Sequence, residues 1–299
     1  MAKTLSIFPA PEEALNQQRT RTRLFMLLSP GMLWLLLFFV LPLGVLVSLS
    51  FYAFIDTQIT NILTTENYEK IFTEAVYGKI FLRSFMIAVL VTTVTLLIGY
   101  PVAHFIARKS HASRDVLLLA LIIPFWTSVV IRTYAWKILL GNSGLINYLL
   151  RELGLADQPI QFLYSTPAVV IGLVHVFLPF MIMPLYASLE KLDASFEEAA
   201  MDLGASRTRT FLRVTLPLTL PGVAMGCLLV FVLSLGSFLT PDLLGGTNSL
   251  MISNVIQEQF LQSGNWPLGG AMSVILLLVS LIFIFVYNRL FDFDEEAGA

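Results

Sequence analysis

The residues that could do chemistry concentrate in one charged stretch, Glu190 to Arg213. Glu197 and Glu198 follow Ser195 there, and Arg207, Arg209 and Arg213 lie beyond Gly204. Carboxylates can serve as acids or bases, but only beside a nucleophile or metal set to act with. The sequence offers neither. His104, His111 and His175 have no i, i+4 spacing, and no HExxH or GxSxG pattern occurs. A GxxxxGK[ST] phosphate loop is also missing, since the Gly78-Lys79 pair is followed by Ile80. If ATP drives anything here, another chain must bind it. What the stretch can do is dock. Ser195 is the expected cap of a short helix, with Glu197 and Glu198 in a first turn where negative charge suits the dipole. Phe196, Ala199, Ala200 and Leu203 recur at spacings of three and four and make one small apolar face. Gly204 is placed to end the helix. A short helix with such a face fits a groove on a partner.

The elements that must position this stretch are membrane spans. The chain has 299 residues, 57% hydrophobic and only 13% charged. A soluble domain carries about a quarter charged residues. The net charge of −2 gives no basic excess for nucleic acid, and the single Cys227 cannot form an internal disulfide. Windows without Asp, Glu, Lys or Arg run over Leu24–Ile55, Ser84–Ala103, Val116–Ile131, Gln158–Leu189, Val214–Pro241 and Gln259–Asn288. A helix crossing the bilayer needs roughly 20 apolar residues, so the third must run on past Arg132, which is expected to snorkel to the interface. The fold class is therefore an all-α polytopic membrane protein with six transmembrane helices. Three segments follow: a polar lead (1–23), with a short surface helix expected near Pro11 to Gln18; the membrane domain (24–290); and an acidic tail (291–299). The first span follows that lead and is far longer than a signal core, so it should remain as an anchor. With the N-terminus inside, 12 Lys and Arg face the cytoplasm and 6 face outward, which places both termini in the cytoplasm.

The span interiors carry no formal charge, whereas ion-coupled carriers commonly place acids or bases there as relays. An ion-coupled carrier is thus disfavoured. His175 lies mid-span with no acid within a helical turn, and is expected to be a neutral imidazole bonding to a neighbouring helix. Pro42, Pro101, Pro124, Pro179, Pro184, Pro217, Pro221 and Pro241 lie in or near the spans and mark kinks or hinges.

Glu198-Ala199-Ala200, three residues, Gly204, nine residues, then Val214-x-Leu216-Pro217 resembles the EAA motif of bacterial ATP-binding-cassette importer permeases. Val214 stands where the motif has Ile. Ile123-Pro124-Phe125-Trp126-Thr127, Ile131-Arg132-Thr133-Tyr134, Leu178 to Tyr186 and Pro241 to Gly246 resemble segments of the spermidine/putrescine-type subfamily. The likeness covers Ser84 to Leu290 and leaves out the polar lead. It implies a type I importer permease fold in the bacterial inner membrane. Glu198, Ala199, Ala200, Gly204, Leu216 and Pro217 would couple it to a dimer of ATPase subunits, which hold the ATP and Mg. A second, homologous permease chain and a periplasmic solute-binding protein complete the implied partners. The implied solute is a polyamine, with opines, phosphonates, amino-acid derivatives and ferric iron as alternatives in related subfamilies. Polyamines call for carboxylates and aromatic faces. Trp126, Tyr134, Phe238 and Asp242, near the outer span ends, are the candidates for its path, with Trp136 beside them. Asp242 is expected to close the fifth span, and Gly245-Gly246 to allow a tight turn after it.

Overall fold

A computed structural model describes residues 26–290. The expected lead, its surface helix and the acidic tail lie outside the described residues. The first helix, α1 (Met26–Leu49), opens into a wide π turn at Leu36–Val40, next to Pro42, whose ring nitrogen cannot donate to the preceding turn. It ends six residues before the expected Ile55. The chain then forms an antiparallel hairpin, β1 (Tyr52–Ile55) and β2 (Gln58–Leu63), with Ile55 opposite Gln58. Asp56 and Thr57 turn it with φ of 49° and 62°, as a two-residue hairpin requires. Among the described residues the fold is helical apart from this hairpin, which the all-α expectation did not include. Polar Thr and Gln residues alternating with Ile suit a half-exposed strand, and a charge-free window does not separate strand from span.

After α2 (Glu66–Thr73), α3 (Ala75–Ala107) runs unbroken for 33 residues. At 1.5 Å per residue it is about 50 Å long, enough to cross a bilayer and protrude. The third expected span does not run on. α4 (His111–Ile122) passes into a 3₁₀ turn at Ile123–Trp126, and α5 (Val129–Leu139) leaves at 88°. Pro124 starts the turn, extended Thr127 and Ser128 break the helix, and the Ser128 side chain caps α5 by accepting from the Val130 N–H. α6 (Leu145–Glu152) follows. α7 (Thr166–Glu190) starts at the Ser165 cap, later than the expected Gln158. Next come α8 (Ala194–Asp202), α9 (Arg207–Leu218) and α10 (Leu220–Gly236), the last two meeting at a 66° bend. α11 (Leu239–Leu244), α12 (Ile252–Leu261) and α13 (Trp266–Leu290) complete the described residues. Trp266-Pro267 opens the final span, as expected. Four helices, α1, α3, α7 and α13, are long and apolar enough to cross a membrane, and there are six crossings only if each bent pair counts as one.

α7 is the hub. Two thirds of its apolar window is buried, and its fully buried Val169, Leu173, Met181, Ile182 and Leu185 pack with Val91 of α3 and Val230 of α10. Lipid is as apolar as these side chains, so close backbone approach rather than water exclusion holds such helices together. Gly222 supplies that approach: a Cβ there would lie 2.5 Å from the Ser188 Cβ and 2.7 Å from the Pro184 carbonyl oxygen.

α6 is pinned by one buried side chain. Asn147 donates to the carbonyls of Gly141 (3.0 Å) and Ile160 (2.9 Å) and accepts from the Ile160 N–H (2.8 Å). Asn147→Ala strands these backbone groups, at about 1–3 kcal/mol for each that stays buried and unpaired. The variant is expected to be cut within 141–160 at least tenfold faster than wild type when the detergent-purified chain is exposed to protease; equal rates would mean that α6 is held by its apolar side chains.

Candidate functional site

The docking stretch folds as a helix, but its cap is Asp193, not Ser195: the Asp193 carboxylate accepts the Ser195 N–H at 2.9 Å. This bond holds the Asp193 carboxyl below its ordinary pKa. Asp preceding Ser competes for the same orphan donors and wins by its charge. The other end matches expectation. Gly204 has φ +85°, the Ala205 N–H donates to the Ala200 carbonyl (3.1 Å) and the Gly204 N–H to that of Met201 (2.9 Å). These two bonds form a Schellman stop.

Phe196, Glu198, Ala199, Met201 and Leu203 are exposed, and Leu203 is 90% exposed. Ala200 is half-buried, so the apolar face expected from the spacing stands mostly open. Glu197 is the buried side chain of α8. Its two carboxylate oxygens take different partners: Arg108, just past the end of α3, and the Thr215 hydroxyl of α9, at 2.7 Å. Burial pushes the Glu197 carboxyl up, but hydrogen bonds from Arg108 and Thr215 and the charge of Arg108 outweigh it, so its pKa falls below the ordinary value. It is ionised at neutral pH. Sequence reasoning put Glu197 and Glu198 side by side without separating their roles. Helical spacing puts the two side chains on different faces, about 100° apart, but does not say which faces in.

Thr215 closes a second π turn, Phe211–Thr215, which leads through half-buried Leu216 and exposed Pro217 to the bend. Pro217 and Pro221 each lack the N–H that would continue the helix across it. Thr219, fully buried at the bend, donates to the Thr215 carbonyl (2.9 Å) and lies 2.8 Å from the Tyr100 hydroxyl of α3. A further ion pair, Arg114 to Glu190 at 2.7 Å, ties the start of α4 to the end of α7.

The four path candidates are less united. Phe238, at the far end of α10, lines a cavity of about 600 Å³ with Phe260, Gln257 and Ser253. Asp242 is exposed one turn further along, its N–H donating to the Phe238 carbonyl at 3.0 Å. It lies in α11, a separate helix, and does not close the fifth span, because α10 already ends at Gly236. Gly245 and Gly246 have negative φ; their role is close packing, since Cβ atoms there would lie 2.4 Å from the Pro241 carbonyl oxygen and 2.6 Å from that of Tyr164. Trp126, 86% exposed, and Tyr134, exposed on α5, do not line the Phe238 cavity. Arg132 packs on an aromatic ring. Its guanidinium lies 4.5 Å from the Phe125 ring centre, with Nε and Nη1 buried and without a hydrogen-bond partner. His175 likewise has no partner at Nδ1 and packs between Phe125 and Trp136, with ring centres 6.1 and 5.8 Å away. The expected hydrogen bond to a neighbouring helix is replaced by ring contacts, because the 88° break turns α5 back towards α7.

The model of the family described as "Binding-protein-dependent transport system inner membrane component" matches residues 96–294. The spermidine/putrescine transport system permease protein PotB of Escherichia coli K12 is 44% identical over 257 residues, covering 86% of this chain and 93% of that protein. The inner membrane ABC transporter permease protein YdcU of the same organism is 33% identical, covering 91% and 90%. Among solved structures, a bacterial ABC transporter involved in alginate import superposes with a TM-score of 0.70 at 20% identity, covering 93% of this chain and 98% of that one. By sequence and family match alike, the chain belongs to the inner membrane components of binding-protein-dependent transport systems.

Proposed function

We propose that this chain is a permease subunit of an ATP-driven polyamine importer. The observation that carries the reading is the 44% identity to a spermidine/putrescine permease across 86% of the chain. Solute reaches it from a periplasmic binding protein and passes between this chain and a second, homologous permease. The exposed face of α8, with Glu198, Ala199, Ala200 and the Gly204 stop, docks on a dimer of ATPase subunits that hold ATP and Mg. Leu216 and Pro217 lead from that contact to the bend. The α8 end is cytoplasmic, as are both termini, and the Phe238 cavity lies towards the outside. The segments 1–23, 24–290 and 291–299 serve as lead, permease domain and tail.

The chemistry at the outer end suits a flexible polycation. The Phe238 and Phe260 faces offer cation–π contacts of about 0.5–2 kcal/mol each. Gln257 and Ser253 offer neutral oxygens, and Asp242 a carboxylate one turn away. The test is reconstitution of the complete complex, with its binding protein, in proteoliposomes. Putrescine or spermidine is expected to raise ATP hydrolysis several-fold and to accumulate inside. Stimulation by an opine or a phosphonate, with none by polyamines, would overturn the solute assignment. Accumulation driven by an ion gradient without ATP would overturn the importer class.

A further inference from the structure

We propose that Glu197 locks the docking helix, the inner end of α3 and the limb α9 into one rigid body, and so turns docking-helix motion into rotation about the Thr219 bend. The proposal rests on the importer reading for the source of that motion. It goes beyond it in naming the link, which lies on the face of α8 opposite the docking contact.

The attachment of α8 is unusual. Its buried side chain is a carboxylate, while its apolar side chains Phe196, Met201 and Leu203 are exposed. Apolar packing tolerates sliding, because dispersion has no preferred direction. A carboxylate bonded at both oxygens does not slide, because each bond fixes a distance and an angle. Here the two bonds go to different elements, Arg108 after α3 and Thr215 on α9. Displacing α8 must therefore carry both.

From Thr215 the path continues. The Thr215 carbonyl accepts from the Thr219 hydroxyl at 2.9 Å, which meets the Tyr100 hydroxyl at 2.8 Å. This second tie joins α9 to α3 again, closing a loop through Arg108, Glu197, Thr215, Thr219 and Tyr100. A closed loop of bonds resists shear that one bond would allow. The compliant point is then above it, where α9 and α10 meet at 66° and two prolines remove backbone donors. The wide turn at Phe211–Thr215 is the kind of helix defect that recurs at functional positions.

Arg108 is half exposed, so solvent screens part of its attraction. Glu197 is thus a positioning residue: its worth is direction rather than strength. The experiment separates the two. Spin labels are placed at exposed Ser110 and at exposed Ala194, which lies off the docking face, through Ser110→Cys and Ala194→Cys, with Cys227→Ser, in the full complex. Their distance is measured without nucleotide and trapped with ATP and vanadate. A narrow distribution, equal within about 2 Å in both states, is expected for native Glu197. Glu197→Ala is expected to broaden it, to keep ATP hydrolysis within twofold, and to lower solute moved per ATP at least tenfold. Reversing the pair with Glu197→Arg and Arg108→Glu is expected to restore a narrow distribution. A distance that changes with nucleotide in the native complex overturns the rigid body. So does Glu197→Ala with unchanged transport per ATP, or with transport and hydrolysis lost together because the ATPase subunit dissociates. The label distance needs no solute. A complex that ignores polyamines therefore fails the importer reading while the lock is still tested.

Discussion

Gly204→Val is expected to abolish uptake, by at least a hundredfold, in a chain that still inserts and is made at wild-type level. The physical argument is conformational. Gly204 holds φ +85°, and no atom lies within 4 Å of where a Cβ would stand. The cost therefore comes from the backbone: an L-residue in the left-handed region pays about 1–2 kcal/mol, and a β-branched one more. Relieving it unwinds the Schellman stop, freeing the carbonyls of Ala200 and Met201 and swinging Leu203 and Ala205 off their positions. Since Gly204 is exposed and a side chain there meets open space, folding is spared while the docking surface is lost. Gly204→Asn should retain a measurable fraction of uptake, because Asn tolerates this region best among residues with a Cβ. The measurement is solute uptake normalised to the permease in the membrane fraction. Uptake by the valine variant at the wild-type rate would show that the helix stop has no part in coupling.

Gly222→Leu is expected to fail earlier, at assembly. A Cβ at this position meets the Ser188 Cβ at 2.5 Å and the Pro184 carbonyl oxygen at 2.7 Å. Neither can rotate away, since one is the root of a side chain and the other is backbone beside a proline kink. Overpacking a close helix contact costs about 1–3 kcal/mol when the surroundings can shift, and here α7 is held on several sides. The folded fraction extracted in mild detergent should fall more than tenfold, with Gly222→Ala intermediate. A leucine variant that elutes as a monodisperse complex at wild-type yield would mean that α7 and α10 separate readily. The pair of glycines makes a contrast: one is required for its backbone angle, the other for the space it leaves.

The sequence made the spans and the docking helix legible for one reason. Both depend on short-range patterns, a charge-free window or a spacing of three and four, that a linear reading captures. The Gly204 stop was readable because glycine has few other uses there. What escaped depended on contacts distant in the chain. Glu197 and Glu198 are neighbours of the same type, and only Arg108, 89 positions away, decides which turns inward. The break after α4 was hidden because Pro124 alone does not set an angle; Ser128 capping α5 does. The contact of Arg132 with Phe125 escaped too, because the 88° break between them sets it. The first strand of the hairpin, Tyr52–Ile55, was absorbed into the first span because a charge-free window carries no period, and its partner Gln58–Leu63 lay beyond that window.

The two faces of α8 have separate occupations, and this bears on how such subunits diversify. Glu197 is the buried anchor of this helix, while Ala199 and Leu203 outside are exposed. Substitutions on the outer face can therefore accumulate without disturbing the membrane body. A lineage is free to re-match whatever partner this face meets one surface residue at a time, whereas any drift at position 197 must be answered at once by positions 108 and 215.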